Sequence, residues 1–510
     1  MLVAAVAVAV LAVACEGGSA QQASAPAPTP TISPTPGPTP SPGERYERIA
    51  CPFDVPLGRL IECGYLRVPE NRNDPQSRHI ELAVAVAKSD SPDPRPDPIV
   101  YLEGGPGGSI LKIAPQAFEG WFSPFVAERD VIMFDQRGIG RSKPALDCPE
   151  FNDAYVDAVE RGVRRQAFSD LIVGAMASCH ERLAAREIDL SAYNSAESAA
   201  DLQDLRLALG YEQWNLYGIS YGTRLGLTAM RDYPQGIRSV ILDSSYPPQA
   251  DLYAELVPNA RRAFNELFEG CRQDGACNAA YPDLERVVFE VAARLDAEPA
   301  DLSVWNPATD KTIEAKMSGD VFLSSLFQAL YSTDANAYLP AIVYAAYEGD
   351  VEPLTPLLGD LFFVHDSLST GMHYSVQCRE EVPFSSAENV AAAAQADAGL
   401  AHALGEPIFV ICEDWGVAQP DPKENQPVRS EIPTLVLAGE YDPITPPAWG
   451  RLVSDDLTNS FFFEFPNVGH GASVADICPL LMTLAFLDNP TASPDSSCIA
   501  EMPPPDFELP

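Results

Sequence analysis

Short apolar runs, each closing on a glycine-rich or polar turn and each followed by a helical stretch, recur along this chain and restrict its fold more than any other feature. The segments 98–102 (PIVYL), 130–135 (DVIMFD), 214–220 (WNLYGIS) and 237–245 (IRSVILDSS) are too short and too apolar for surface helices. Runs of this kind are strands buried on both faces, as in a parallel sheet covered by crossover helices. Residues 79–88 (HIELAVAVAK) alternate with period two and predict a longer strand. Residues 195–210 carry Leu at helical spacing from a Ser-x-x-Glu-like start to Gly210, a helix with both ends marked. Between about 248 and 428 the signals turn helical, at 253–269, 283–296 and 320–348. Strand-like runs resume at 434–442 (TLVLAGEYD) and 460–470 (SFFFEFPNVGH), and a helix over 477–488 follows. The pattern predicts an α/β fold with a mostly parallel sheet flanked by helices. A mainly helical insertion at 251–427 divides the core into 45–250 and 428–510.

The 510 residues carry 33 Lys+Arg against 72 Asp+Glu, a net charge of −39. Such a surface repels a phosphate backbone, so no nucleic-acid partner is expected. Anionic lipid is an equally poor electrostatic partner. The expected membrane contact is therefore confined to the N-terminus. There, residues 1–14 form an apolar run too short to span a bilayer but of signal-peptide length. Cys15 follows small residues, as at a bacterial lipoprotein cleavage site, although no Lys or Arg precedes the run and Ala12 stands where Leu is usual. Residues 15–44 then run through repeated Pro-Thr and Ser-Pro steps that cannot bury a core and suit an extended spacer. The expectation is an exported protein, secreted or held at the bacterial cell surface by a lipid on Cys15.

Beyond Cys15 there are ten Cys, an even number that suits disulfides in an exported chain. Their spacing suggests Cys51–Cys63, Cys148–Cys179, Cys271–Cys277, Cys378–Cys412 and Cys478–Cys498, with connectivity left open by sequence. Neither a CxxC pair nor HExxH occurs, so no metal site is expected.

The sharpest chemical signal is Gly218-Ile-Ser220-Tyr-Gly222, between a strand and a helix. A Ser at such a turn is lifted above the sheet edge, and its flanking glycines make room for neighbouring chain. A nucleophilic hydroxyl needs a base, and the base needs an orienting acid. Of six His, only His470 follows a core strand, and the strand before it ends on Asp442, with Glu440 in reserve. An oxyanion also needs donors: the N–H of Tyr221, and one from the turn Glu103-Gly-Gly-Pro-Gly-Gly-Ser109, with Gly105 favoured over Gly104. That turn has neither a Walker Lys nor G-x-G-x-x-G spacing, so a phosphate cradle is excluded. Asp135 and Arg137, in Asp-Gln-Arg-Gly-Ile-Gly-Arg-Ser, are expected to form a buried ion pair bracing the site floor.

Together EGGPGGS, DQRGIGRS, GISYG, GEYDP and VGHG resemble the prolyl-iminopeptidase-like serine peptidases of the α/β-hydrolase fold. The paired Cys51 and Cys63 and the run Cys412-Glu-Asp414-Trp415 resemble the secreted tripeptidyl-aminopeptidase-like branch. The resemblance implies release of amino acids or short peptides from free peptide N-termini, no cofactor, and a helical block capping the site. Many prolyl iminopeptidases have His before the Gly-Gly-Pro-Gly, where this chain has Glu103, a departure that argues against strict proline preference. An aminopeptidase must hold an ammonium, which a partly buried carboxylate does by charge-assisted hydrogen bonds. Glu380 and Glu381, beside Cys378, are the expected partners. A carboxylesterase on the same frame and an inactive peptide-binding lipoprotein are the rival readings.

Overall fold

The structure is a computed structural model that describes residues 45–306 and 309–510. The expected signal segment over 1–14, Cys15 with its expected lipid and the expected spacer to residue 44 lie outside the described residues.

Eleven strands are present among the described residues: β1 Tyr46–Ile49, β2 Ile61–Pro69, β3 His79–Ala87, β4 Ile99–Leu102, β5 Val131–Phe134, β6 Trp214–Ile219, β7 Ile237–Asp243, β8 Ala300–Asn306, β9 Lys311–Met317, β10 Thr434–Gly439 and β11 Ser460–Phe465. Nine form one sheet in the order β1-β2-β3-β5-β4-β6-β7-β10-β11. From β5 to β11 neighbouring strands run parallel, while β1, β2 and β3 close the other edge antiparallel.

The period-two side-chain alternation of the strands makes the two layers. Tyr101, Met133, Tyr217, Ile241 and Leu437 face a core shared with helices Ile110–Trp121 and Ile477–Asp488. Val100, Ile132, Leu216, Val240 and Val436 face the opposite core, shared with helices Ser195–Leu209 and Tyr221–Asp232. Both faces are covered, so the parallel strands read as continuous apolar runs. Each such side chain fully withdrawn from water contributes roughly 1.5–3 kcal/mol.

The stretch between β7 and β10 is mostly helical, opening with Leu252–Gln273 and including Thr370–Glu380 and Ile408–Asp414. It also holds the antiparallel hairpin β8–β9, which the helical pattern of the sequence did not announce. Alternate residues of that hairpin are buried (Leu302 and Val304; Ile313, Ala315 and Met317), so its signal is amphipathic and weaker than a buried run. The helix Ser195–Leu209 is capped by the Asn194 side chain rather than by a serine, and ends on Gly210 at φ +79°. Sulfur–sulfur bonds join Cys51 to Cys63, Cys148 to Cys179, Cys271 to Cys277, Cys378 to Cys412 and Cys478 to Cys498. No helix among the described residues is long and apolar enough to cross a membrane.

Candidate active site

Strand β4 is flanked by β5, the next strand in the chain, on one side and by β6 on the other. The chain therefore reverses direction across the sheet here, and the carboxyl ends of β4 and β6 open a crevice, the usual ligand position in such sheets. The loop after β4 carries Glu103–Ser109; the turn after β6 carries Ser220.

Ser220 has φ +59° and ψ −127°, a strained conformation for a side chain larger than Gly. Its N–H donates to the Asp243 carbonyl at 3.1 Å, and its carbonyl accepts from the Thr223 N–H and hydroxyl. The flanking glycines are demanded by contact. A Cβ on Gly222 would sit 1.9 Å from the Leu102 carbonyl oxygen, and one on Gly218 would meet the Gly222 backbone at 2.5 Å. A Cβ on Gly104 would come within 2.9 Å of the Ser220 Cβ, so the loop after β4 lies directly against the serine.

His470 follows β11, and its Nδ1 lies 2.8 Å from Asp442 Oδ2. The second oxygen of Asp442 accepts the N–H groups of Ile444 and Thr445, and the Thr445 hydroxyl reaches Oδ2 at 2.7 Å and His470 Nδ1 at 3.2 Å. Burial opposes the charge on Asp442, but His470 and these donors hold its carboxyl below the usual range. Burial likewise works against an imidazolium on His470. Asp442, with Asp243 and Glu103 further off, nevertheless raises its pKa above the ordinary histidine value. Among the described residues no hydrogen bond joins Ser220 to His470, although both line one cavity. Such bonds often tighten only when substrate is bound. Glu440, the reserve acid, instead accepts the Asn467 N–H.

On the oxyanion side, the Gly104 N–H is taken by Glu103 Oε1 at 2.9 Å, which removes it as a donor. The N–H groups of Gly105 and Tyr221 have no hydrogen-bond partner among the described residues. Gly105 has φ +112°, where a Cβ would strike the Gly107 and Gly108 nitrogens. Ser109 and the first turn of the following helix are anchored on the buried Asp135, which accepts from Ser109 Oγ, Leu111 N and Arg141 N. Burial pushes the Asp135 carboxyl up to about 6. The expected Asp135–Arg137 pair does not form. Arg137 instead makes a bidentate pair with Asp201 at 2.8 Å and donates to the carbonyls of Glu70 and Ala192. Both residues are buried and structural, each with partners that the motif itself does not contain.

The cavity over Ser220 measures about 620 Å³ and is lined by residues before β7, by residues between β7 and β10, Tyr253, Phe327 and His373 among them, and by residues after β10, His470 among them. Most of its wall is apolar or aromatic, and its acidic residues are Glu103 and Glu406. Glu380 and Glu381 do not line it. Glu380 accepts the N–H and hydroxyl of Ser195 at 2.6 and 2.7 Å and pairs with Arg224 at 3.2 Å. Glu381 pairs with the same guanidinium at 2.6 Å. These two carboxylates and Arg224 form a buried ionic cluster under the site, so the expectation that they meet a substrate amine is corrected. Their place beside Cys378 said nothing of where they point.

Several residues that the motifs gave no reason to choose hold the site together. Arg262 donates to the carbonyls of Glu440 and Asp442. The Tyr331 carbonyl accepts the His470 N–H at 2.9 Å, and its ring packs 4.8 Å from the imidazole, centre to centre. The Thr333 hydroxyl accepts the Gly469 N–H at 2.9 Å. No local pattern marks these contacts, because each joins segments more than a hundred residues apart.

This architecture meets its counterpart in comparison with known proteins: residues 97–475 match the family described as alpha/beta hydrolase fold. The chain belongs to the α/β-hydrolase family. Serine protease Hip1 of Mycobacterium tuberculosis is 26% identical over 434 residues, 80% of this chain and 80% of the relative. Tripeptidyl aminopeptidase of Streptomyces lividans is 32% identical over 213 residues, 39% of this chain and 38% of the relative. A probable proline iminopeptidase of Streptomyces coelicolor is 28% identical over 213 residues, 40% of this chain and 53% of the relative. This α/β hydrolase thus has serine protease and aminopeptidase relatives.

Proposed function

We propose that this α/β hydrolase is a serine exopeptidase that releases amino acids or short peptides from free peptide N-termini. The observation that carries the proposal is the strained Ser220, set in one cavity with His470, whose far nitrogen is held by buried Asp442. The names of the relatives support a peptidase over a plain esterase.

In this mechanism Ser220 Oγ attacks the scissile carbonyl while His470 Nε2 takes its proton. Asp442 accepts from His470 Nδ1–H, which fixes the tautomer and steadies the imidazolium. The N–H groups of Gly105 and Tyr221 receive the oxyanion. His470 then protonates the leaving amine, and water, activated by the same imidazole, hydrolyses the acyl-enzyme. The segment 251–427 acts as a cap whose aromatic residues bind apolar side chains. The core is formed by 45–250 and 428–510. In the cavity an ammonium would be received by Glu406 or Glu103, the carboxylates that line it. The five disulfides favour an exported protein, in keeping with a cleaved leader over 1–14 and a lipid on Cys15.

The test is a peptide-amide series with free and acetylated N-termini, alongside simple esters, run with wild type, Ser220→Ala and Glu406→Gln. Cleavage restricted to free N-termini, abolished by Ser220→Ala and raised in KM by Glu406→Gln, is the expected outcome. Hydrolysis of esters without peptides would move the assignment to a carboxylesterase. A wild type inert to every substrate would favour a peptide-binding lipoprotein.

A further inference from the structure

The turn that follows His470 is held from beneath by the end of β7. Three consecutive N–H groups, those of Gly471, Ala472 and Ser473, point at two adjacent side chains there. Gly471 N–H donates to Ser244 Oγ at 2.8 Å, Ala472 N–H to Asp243 Oδ1 at 2.9 Å and Ser473 N–H to Asp243 Oδ2 at 2.8 Å. The Ser473 hydroxyl also donates to Asp243 and meets the Tyr217 hydroxyl at 2.6 Å. Asp243 and Ser244 are both fully buried, and Ser244 takes φ +57° to present its hydroxyl. The backbone carbonyl of the same Asp243 accepts the Ser220 N–H. One residue thus grips the nucleophile turn through its main chain and the histidine turn through its side chain.

We propose that Asp243 is a positioning residue of the hydrolytic site, which sets the His470 turn relative to Ser220 and supplies a second negative charge toward the imidazole. The proposal rests on the reading of His470 as the base for Ser220. The two carboxylate oxygens each accept a main-chain N–H, an arrangement that favours the charged, acceptor-only form. Burial opposes that charge and raises the carboxyl above its ordinary range, and the N–H donors and the nearby imidazole work against the rise. The charged groups facing His470 are Asp442 in contact, and Asp243 and Glu103 through space; the Tyr331 ring and Thr445 hydroxyl complete its surroundings. Loss of the Asp243 charge therefore lowers the imidazole pKa.

The experiment measures fluorophosphonate labelling of Ser220 against pH, with kcat and KM on a free-amine peptide amide. Asp243→Asn keeps the size, removes the charge and gives up one of the two main-chain hydrogen bonds. The acid limb of its labelling rate is expected to move down by about half a pH unit. Its kcat is expected to fall roughly tenfold at little change in KM. Ser244→Ala is expected to lower kcat severalfold and leave the acid limb where it is, since no charge is lost. An unmoved limb in a folded Asp243→Asn overturns the electrostatic half of the proposal. An unchanged kcat in Ser244→Ala overturns the positioning half, and that variant decides it if Asp243→Asn does not fold. A wild type that takes no label refutes the Ser220–His470 reading itself, which separates the two failures.

Discussion

Replacing Asp442 with Asn tests the electrostatics of the site most sharply. Asp442 is fully buried and accepts from Ile444 N, Thr445 N, Thr445 Oγ1 and His470 Nδ1. Asn retains one oxygen for the two main-chain donors, so the loop after β10 keeps its shape. The oxygen that faced Thr445 and His470 becomes an NH2 donor. The imidazole then presents an unprotonated Nδ1 to that amide and carries its proton on Nε2, where it cannot accept from Ser220. A wrong tautomer with no charge to steady the imidazolium costs about 10³–10⁴ in kcat, or ~4–5.5 kcal/mol of transition-state stabilisation. The residual activity should titrate at lower pH than wild type, because the chief interaction raising the His470 pKa is gone. The assay is kcat against pH on a free-amine peptide amide, with circular dichroism to establish that the variant is folded. A folded Asp442→Asn with less than tenfold loss would refute the reasoning and turn attention to Asp243 as the effective acid.

Gly222→Ala would place a methyl 1.9 Å from the Leu102 carbonyl; the backbone must shift, at a cost of about 3 kcal/mol or more, read as a lower midpoint in urea. Arg224→Met leaves Glu380 and Glu381 buried without their cation and should destabilise the fold by roughly 3–5 kcal/mol, whereas KM for free-amine substrates in the folded fraction stays near wild type. Asp135, raised by burial to about 6, and Glu381, raised by burial to about 7, favour the folded state in their protonated forms. The stability they contribute is full below the unfolded carboxylate range and is lost as pH rises through 6 to 7, so urea midpoints should be higher at pH 5 than at pH 8. For Asp135 alone the rise from 3.8 to about 6 corresponds to about 3 kcal/mol, and a flat profile would show that other groups offset it.

The sheet core was legible because buried parallel strands leave short, continuous apolar runs, and β4, β5, β6, β7 and β10 each began and ended close to such a run. The hairpin β8–β9 was not, since half of each strand is exposed and its residues alternate with charge. The turn around Ser220 could be read because Gly218 and Gly222 are required by contacts within five residues and with the neighbouring strand. Asp442 and His470 followed from their positions after two successive core strands. The supports of that pair were hidden. Arg262, Tyr331 and Asp243 reach it across 180, 139 and 229 positions of sequence, and no local pattern encodes such contacts. Glu380 and Glu381 were misplaced for the same reason, because adjacency to Cys378 fixes the backbone but not the direction of the carboxylates, which turn to Arg224.

The central claim is covalent: Ser220 takes the N-terminal portion of a peptide as an ester. Intact-mass spectrometry of enzyme acid-quenched during turnover of a free-amine peptide amide, followed by peptide mapping, tests it most directly. The account predicts an adduct on the peptide that contains Ser220, with a mass equal to the residues removed in one step, absent when the substrate is acetylated. No adduct with an actively turning-over enzyme, or an adduct on another residue, would contradict it.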